Sequence, residues 1–217
     1  MLTTYQQPAA VLRRYLSNSG EYPWQLAIRT PTGVIRPTLN DYHDLLTVNE
    51  VFCRQDYGPG RTVEVVVDIG ANIGLAALFF LTRNRVCRVY CFEPDPANTA
   101  HLRQTLSGYE DRYNLIERVV TPEAAILVRF VPQGRYGHAA RDGEDAAELP
   151  AIGIAAAMQH VLAHESAIDV VKIDTEGSEL ALVEALRSDA AMPKIAAVVY
   201  EDNKGRTRWA RARRWSR

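Results

Sequence analysis

The chain has 217 residues, a length that suits one domain with a sizeable buried core, or one domain with a small appendage. With 47% hydrophobic and 24% charged residues its composition is that of an ordinary folded globule, which excludes the disordered, collagen-like and disulfide-stapled classes. The formal net charge of −1 conceals an asymmetry: residues 204–217 carry seven basic side chains and no acidic one, so residues 1–203 stand at a net of −8. An acidic body of this kind is a poor match for a phosphate backbone, and no nucleic-acid partner is expected.

The apolar helical stretch at 73–81 is far short of the roughly 20 residues that cross a bilayer, and no membrane partner is expected. No apolar run of signal-peptide length precedes the first arginines, and the cysteines Cys53, Cys87 and Cys91 lack CxxC spacing. Both features point to a cytoplasmic protein with reduced thiols.

In chain order, 24–30 and 33–39 flank Pro31-Thr32-Gly33 and are expected to form a hairpin. Residues 41–57 carry apolar side chains near a helical period up to Gly58-Pro59-Gly60. The run 63–69 is β-branched almost throughout, as in a strand buried on both faces of a parallel sheet. A helix at 73–83 and a strand at 86–92 complete a β-α-β unit. A helix at 96–106, extended pieces at 114–120 and 126–131, and a loop at 133–150 rich in glycine, alanine and charge come next. A helix at 154–165, a strand at 167–173, a helix at 178–186 and a strand at 195–200 follow. Alternation at this spacing implies an α/β fold with a doubly wound, mostly parallel sheet and helices on both faces. We divide the chain into a lead-in region of hairpin and helix at 1–60, a core domain at 61–203 and a basic tail at 204–217.

In such a sheet ligands bind at the carboxyl ends of the strands, and here those ends are polar. They read Asp68-Ile69-Gly70-Ala71-Asn72-Ile73-Gly74, Glu93-Pro94-Asp95, Asp174-Thr175-Glu176-Gly177 and Glu201-Asp202-Asn203. The glycines permit a sharp strand-to-helix turn that brings backbone N–H groups to a ligand. Glu93, 23 residues after Gly70, is placed to accept the hydroxyls of a ribose. A full dinucleotide fingerprint would have glycine where Asn72 and Leu75 stand, so a nucleoside without pyrophosphate is expected, S-adenosylmethionine being the common one. A nicotinamide-dependent oxidoreductase is the less favoured enzyme alternative.

VVDIGANIG, CFEPDPAN and VVKIDTEGSE, in this order and spacing, resemble the FkbM family of S-adenosylmethionine-dependent methyltransferases, many of which methylate hydroxyls of natural products or sugars. The resemblance runs from about Asp44 to about Asn203. It implies a Rossmann-like class I methyltransferase fold in which Asp68, Gly70, Asn72 and Gly74 line the methionine part of the cofactor. Glu93 would hold the ribose, Pro94 and Asp95 would edge the adenine, and Val120 would stand in the adenine wall. Asp174, Glu176 and Glu179 would face the transferable methyl. Family members usually continue with a helix and an antiparallel strand pair that complete the sheet, whereas only 14 residues follow Asn203 and none reads as a strand. The C-terminal strands are therefore expected to be truncated, leaving 195–200 as an exposed edge.

Methyl transfer needs the acceptor aligned and its proton removed. Asp174, Glu201 and His138 are the candidates for that work; as bland alternatives the carboxylates are solvated strand ends and His138 a loop residue. Lys172 is expected to share a face with Asp174 and to form an ion pair. His160 and His164 lack the HExxH context of a metal site, and no metal is assigned. The expected function is O-methylation of a small-molecule hydroxyl on a sugar, polyketide or related metabolite. A cofactor-binding or inactive remnant of the fold is the non-enzymatic alternative.

Overall fold

The computed structural model describes residues 2–58, 62–133, 136–139, 145–175, 177–202 and 206–211, without the side chains of 132, 133, 136–139 and 211. Helix α1 (Pro8–Ser17) opens the chain, followed by the short strands β1 (Trp24–Gln25), β2 (Ile28–Thr30), β3 (Gly33–Ile35) and β4 (Thr38–Leu39). The expected hairpin is in fact two nested antiparallel pairs, β2 with β3 and β1 with β4. Helix α2 (Tyr42–Val48) begins where the Asp41 side chain accepts the Asp44 N–H at 3.1 Å, and it runs into a π-helical segment, Asn49–Arg54.

The remaining elements are β5 (Val65–Ile69), α3 (Leu75–Leu81), β6 (Arg88–Phe92), α4 (Pro96–Thr105), β7 (Tyr113–Ile116), β8 (Val119–Thr121), β9 (Leu127–Gln133), β10 (Tyr136–Ala139), β11 (Ala147–Gly153), α5 (Ile154–Leu162), β12 (Ile168–Ile173), α6 (Glu179–Arg187), β13 (Ile195–Glu201) and β14 (Thr207–Arg211). The main sheet has the order β14-β13-β12-β5-β6-β7, parallel except for β14. Its central strand β5 is buried at every residue, which is why VVVDI carries no alternating polar face. One face is covered by α3, α4 and the N-terminal segments, whose Tyr5, Val11, Leu26 and Leu39 share a continuous core with Phe79 and Phe80; α5 and α6 cover the other.

Three expectations are corrected. Residues 207–211 form β14, which pairs antiparallel with β13 from Ala197↔Arg211 to Glu201↔Thr207, so 195–200 is not an edge. The pattern was hidden because Thr207-Arg208-Trp209-Ala210-Arg211 shows no alternation of apolar and polar residues. The region 133–150 is also more than a loop, since β9, β10 and β11 make an antiparallel sheet that joins β8 through β11. The single extended piece expected at 114–120 divides at the Arg118 N–H to Ile116 carbonyl turn into β7 and β8, which serve different sheets.

Candidate functional site

The carboxyl ends of β5, β6, β12 and β13 open on a cavity of about 430 Å3, within the range of pockets that hold a small-molecule ligand. On one side stand the turn after β5, with Gly70 and Asn72, and the end of β6, with Glu93 and Pro94. Val120 closes this side from β8. Helix α2, the π-helical segment and the residues after it contribute His43, Thr47, Glu50, Arg54 and Tyr57. Asp174 and Glu201 stand at the ends of β12 and β13.

Glu93 is 5% exposed, and both its oxygens are held by the chain. Oε2 accepts the Asn72 N–H at 2.8 Å, while Oε1 accepts the Asp95 N–H at 3.0 Å and the Asn98 Nδ2 at 3.2 Å. Burial raises this carboxyl above the usual glutamate range, against the pull of those three donors. Asn72 lies at φ +50, a left-handed conformation that asparagine tolerates, and its side chain accepts the Ile73 N–H at 2.8 Å.

Gly70 lies at φ +76, and a Cβ built there would meet the Asp174 carbonyl oxygen at 2.0 Å. The glycine is thus required by the approach of β12 to the turn, where the sequence reading gave the ligand as the reason. Asp174 N–H in turn donates to the Ile69 carbonyl at 3.1 Å. The Asp174 carboxylate Oδ2 accepts the Tyr57 hydroxyl at 3.3 Å and lies 3.5 Å from Lys172 Nζ. Burial, then the Asp174 charge, lift the Tyr57 phenol well above its ordinary range, so it stays a neutral donor. Desolvation raises the Glu50 carboxyl, opposed by Arg54 and assisted by Asp56 and Asp174.

Four of the residues expected to touch the cofactor do not line the cavity, among them Glu179, whose Oε2 accepts the Gly177 N–H at 3.1 Å. Asp68 is fully buried beneath it, with Oδ1 2.9 Å from Lys172 Nζ; burial raises its carboxyl despite that partner. Gly74, at φ +82, opens α3 against Leu102 and Leu106. Asp95 caps α4, its Oδ1 accepting the Ala97 N–H at 2.8 Å ahead of Pro96. Gly70, Asn72, Glu93, Pro94, Val120, Asp174 and Glu201 do line it. Glu176 and the side chain of His138 lie outside the described residues; the His138 backbone pairs with Val131 on β9. The sequence reading missed Tyr57, whose position beside Gly58-Pro59-Gly60 read only as a helix end, and the polar wall from α2 onward.

Residues 68–215 match the methyltransferase FkbM domain. This chain belongs to the FkbM methyltransferase family. It is 27% identical over 209 aligned residues, covering 80% of each chain, to the 31-O-demethyl-FK506 methyltransferase FkbM of Streptomyces tacrolimicus. Among solved structures it is similar to the SAH-bound methyltransferase PaMTH1 of Podospora anserina, with 14% identity, a TM-score of 0.40 and coverage of 73% of this chain and 51% of that one. It is also similar to the precorrin-6y C5,15-methyltransferase of Geobacter metallireducens, with 15% identity, a TM-score of 0.39 and coverage of 68% and 58%. The chain therefore spans little more than half the length of either structure.

As a member of this family the protein is an S-adenosylmethionine-dependent methyltransferase, which sets aside the nicotinamide alternative. The cavity suits that cofactor. Glu93 keeps one acceptor site, on Oε2, beyond the three bonds it makes to the chain, Pro94 and Val120 give an apolar strip for a base, and Asp174 and Glu50 are acidic groups fit for a positively charged sulfur.

Proposed function

We propose that this methyltransferase transfers its methyl group to a hydroxyl oxygen of a small-molecule acceptor, within the cytoplasm, with Asp174 receiving the hydroxyl proton. The observation that carries the reading is the placing of the Asp174 carboxylate. It stands at the cavity wall between the Tyr57 hydroxyl and the Lys172 ammonium, at the end of the strand next to β5. The Streptomyces relative's name, a 31-O-demethyl-FK506 methyltransferase, supports oxygen as the accepting atom.

S-adenosylmethionine supplies a methyl group on a positively charged sulfur that leaves as a neutral thioether. The chain's own task is then positional. Glu93 would accept a ribose hydroxyl through Oε2, and Asn72 holds Glu93 in place through its N–H. The Tyr57 hydroxyl donates to Asp174 and fixes the side of the carboxylate that remains for the acceptor. As the acceptor oxygen bonds to the methyl carbon and the carbon–sulfur bond breaks, the O–H proton passes to Asp174. Such general-base assistance is worth about 10²- to 10⁴-fold.

The test combines calorimetry with S-adenosylhomocysteine and a methyl-transfer screen of hydroxylated acceptors. The expected result is cofactor binding with turnover on a hydroxyl, and a kcat in Asp174→Asn lowered at least 100-fold with cofactor affinity kept. Binding without turnover on any hydroxylated acceptor would favour the cofactor-binding remnant, and full kcat in Asp174→Asn would remove Asp174 from the reaction.

A further inference from the structure

Lys172 lies on β12 directly opposite Asp68 on β5, and its side chain is 3% exposed. An ammonium has three donors, and three acceptors surround this one. Asp68 Oδ1 is 2.9 Å away, the Gly70 carbonyl oxygen 2.8 Å and Asp174 Oδ2 3.5 Å, while the Tyr57 ring centroid is 5.9 Å from Nζ. A buried lysine normally tends to lose its charge, yet here the two carboxylates outweigh desolvation and hold it above the ordinary lysine range.

One buried cation thus ties the end of β5, the turn that faces the cofactor and the carboxylate that faces the acceptor. Neutralising Asp68 alone would need only the first contact. The Gly70 carbonyl and Asp174 contacts join the cofactor side of the cavity to the proton-accepting side through a single rigid point. The Tyr57 hydroxyl also donates to the Asp174 carboxylate, so Asp174 is held by a neutral donor and a cation together.

We propose that Lys172 is a positioning residue for methyl transfer, acting through Asp174 by fixing where its carboxylate stands, and not only as the counter-charge of Asp68. The inference rests on Asp174 as the proton acceptor.

Lys172→Met alone would strand the buried Asp68 charge, so the informative variant is Asp68→Asn/Lys172→Met, which removes both charges together. Its melting temperature reports folding, and Asp68→Leu/Lys172→Met replaces it where folding is lost. On the proposal, S-adenosylhomocysteine affinity by calorimetry stays within about threefold of wild type, because Gly70 and Ala71 keep their N–H bonds to the Phe92 carbonyl. The kcat on the screened acceptor falls at least tenfold, and in the crystal structure of the variant the Asp174 carboxylate leaves the Tyr57 hydroxyl. In an Asp174→Asn background the same pair of changes adds no more than about a twofold loss, the non-additivity of residues acting as a unit. A folded double variant with wild-type kcat, an Asp174 carboxylate that keeps its place, or full multiplication of the losses in the Asp174→Asn background each overturns the proposal. Wild-type kcat in Asp174→Asn alone overturns the underlying assignment of Asp174 and this inference with it, whereas a slow Asp174→Asn beside an unimpaired double variant overturns the role of Lys172 only.

Discussion

The indole Nε1–H of Trp209, on β14, donates to the backbone carbonyl of Asp56 at 3.0 Å, in the segment that carries Tyr57 to the cavity. The same indole lies over Gly58, where a Cβ would stand 3.3 Å from it. The seven basic side chains of residues 204–217 suggested a tail of little consequence, but Arg208 stays exposed while the backbone of β14 pairs with β13. Trp209→Ala is expected to lose about 1 kcal/mol, a fall of about 2–4 °C in melting temperature for a domain of this size. Deleting 204–217 is expected to cost more, since β13 then loses its partner. An unchanged melting temperature in the deletion would show that the pairing contributes nothing to stability.

With the ribose on Glu93, as proposed, cofactor binding should depend on pH. The folded-state carboxyl of Glu93 is raised by burial, and hydroxyl donors bind the ionised form. Affinity for S-adenosylhomocysteine should therefore be complete above that raised value and weaken as pH falls through it, with protons released on binding as the pH drops into that range. Calorimetry in buffers of different ionisation enthalpy measures that release directly. Glu93→Ala should weaken binding by about 1.5–3 kcal/mol at neutral pH, the range for hydrogen bonds to a charged group. Unaltered affinity would move the ribose elsewhere in the cavity.

The order of strands and helices in the core was legible because period and β-branching report burial directly: 63–69, 86–92, 167–173 and 195–200 each overlap a strand of the main sheet. The polar strand ends were legible for the same reason, since Glu93, Asp174 and Glu201 follow runs that must be buried. Asp68 misled because the side chain at a strand's last turn points either into the cavity or beneath it, and only the neighbouring Lys172 decides which. Asp95 misled because an acidic residue before proline serves equally as a helix cap. The α2 wall was out of reach, because joining it to the site depends on packing between residues more than 100 positions apart, as in Tyr57 on Asp174.

Tyr57→Phe isolates that long-range contact. The phenol is neutral throughout the working range, so its loss should leave the shape of the pH–rate profile unchanged on the alkaline side while lowering kcat about tenfold, the worth of one hydrogen bond of roughly 1–1.5 kcal/mol. The ring's packing against Phe80, with centroids 6.3 Å apart, is retained in phenylalanine, so the melting temperature should hardly move. A kcat equal to wild type would show that Asp174 is positioned without Tyr57.

The two glycines of the turn after β5 differ in what surrounds them, and alanine substitution should separate them. Both lie at positive φ, which strains an alanine by about 1–3 kcal/mol in either case. At Gly74 the nearest obstacles are the Leu102 and Leu106 side chains at 3.0 and 3.3 Å, groups that can shift. At Gly70 the obstacle is the Asp174 carbonyl oxygen at 2.0 Å, backbone that also takes part in the β5–β12 junction through the Asp174 N–H to Ile69 carbonyl bond. Relief there must move the strand end that carries Asp174. Gly70→Ala should accordingly lose more stability than Gly74→Ala and abolish methyl transfer even where the protein still folds, whereas Gly74→Ala should retain cofactor binding. Chemical denaturation and calorimetry on the pair measure both effects; equal losses would show that backbone strain alone, and not the approach of β12, fixes glycine at position 70.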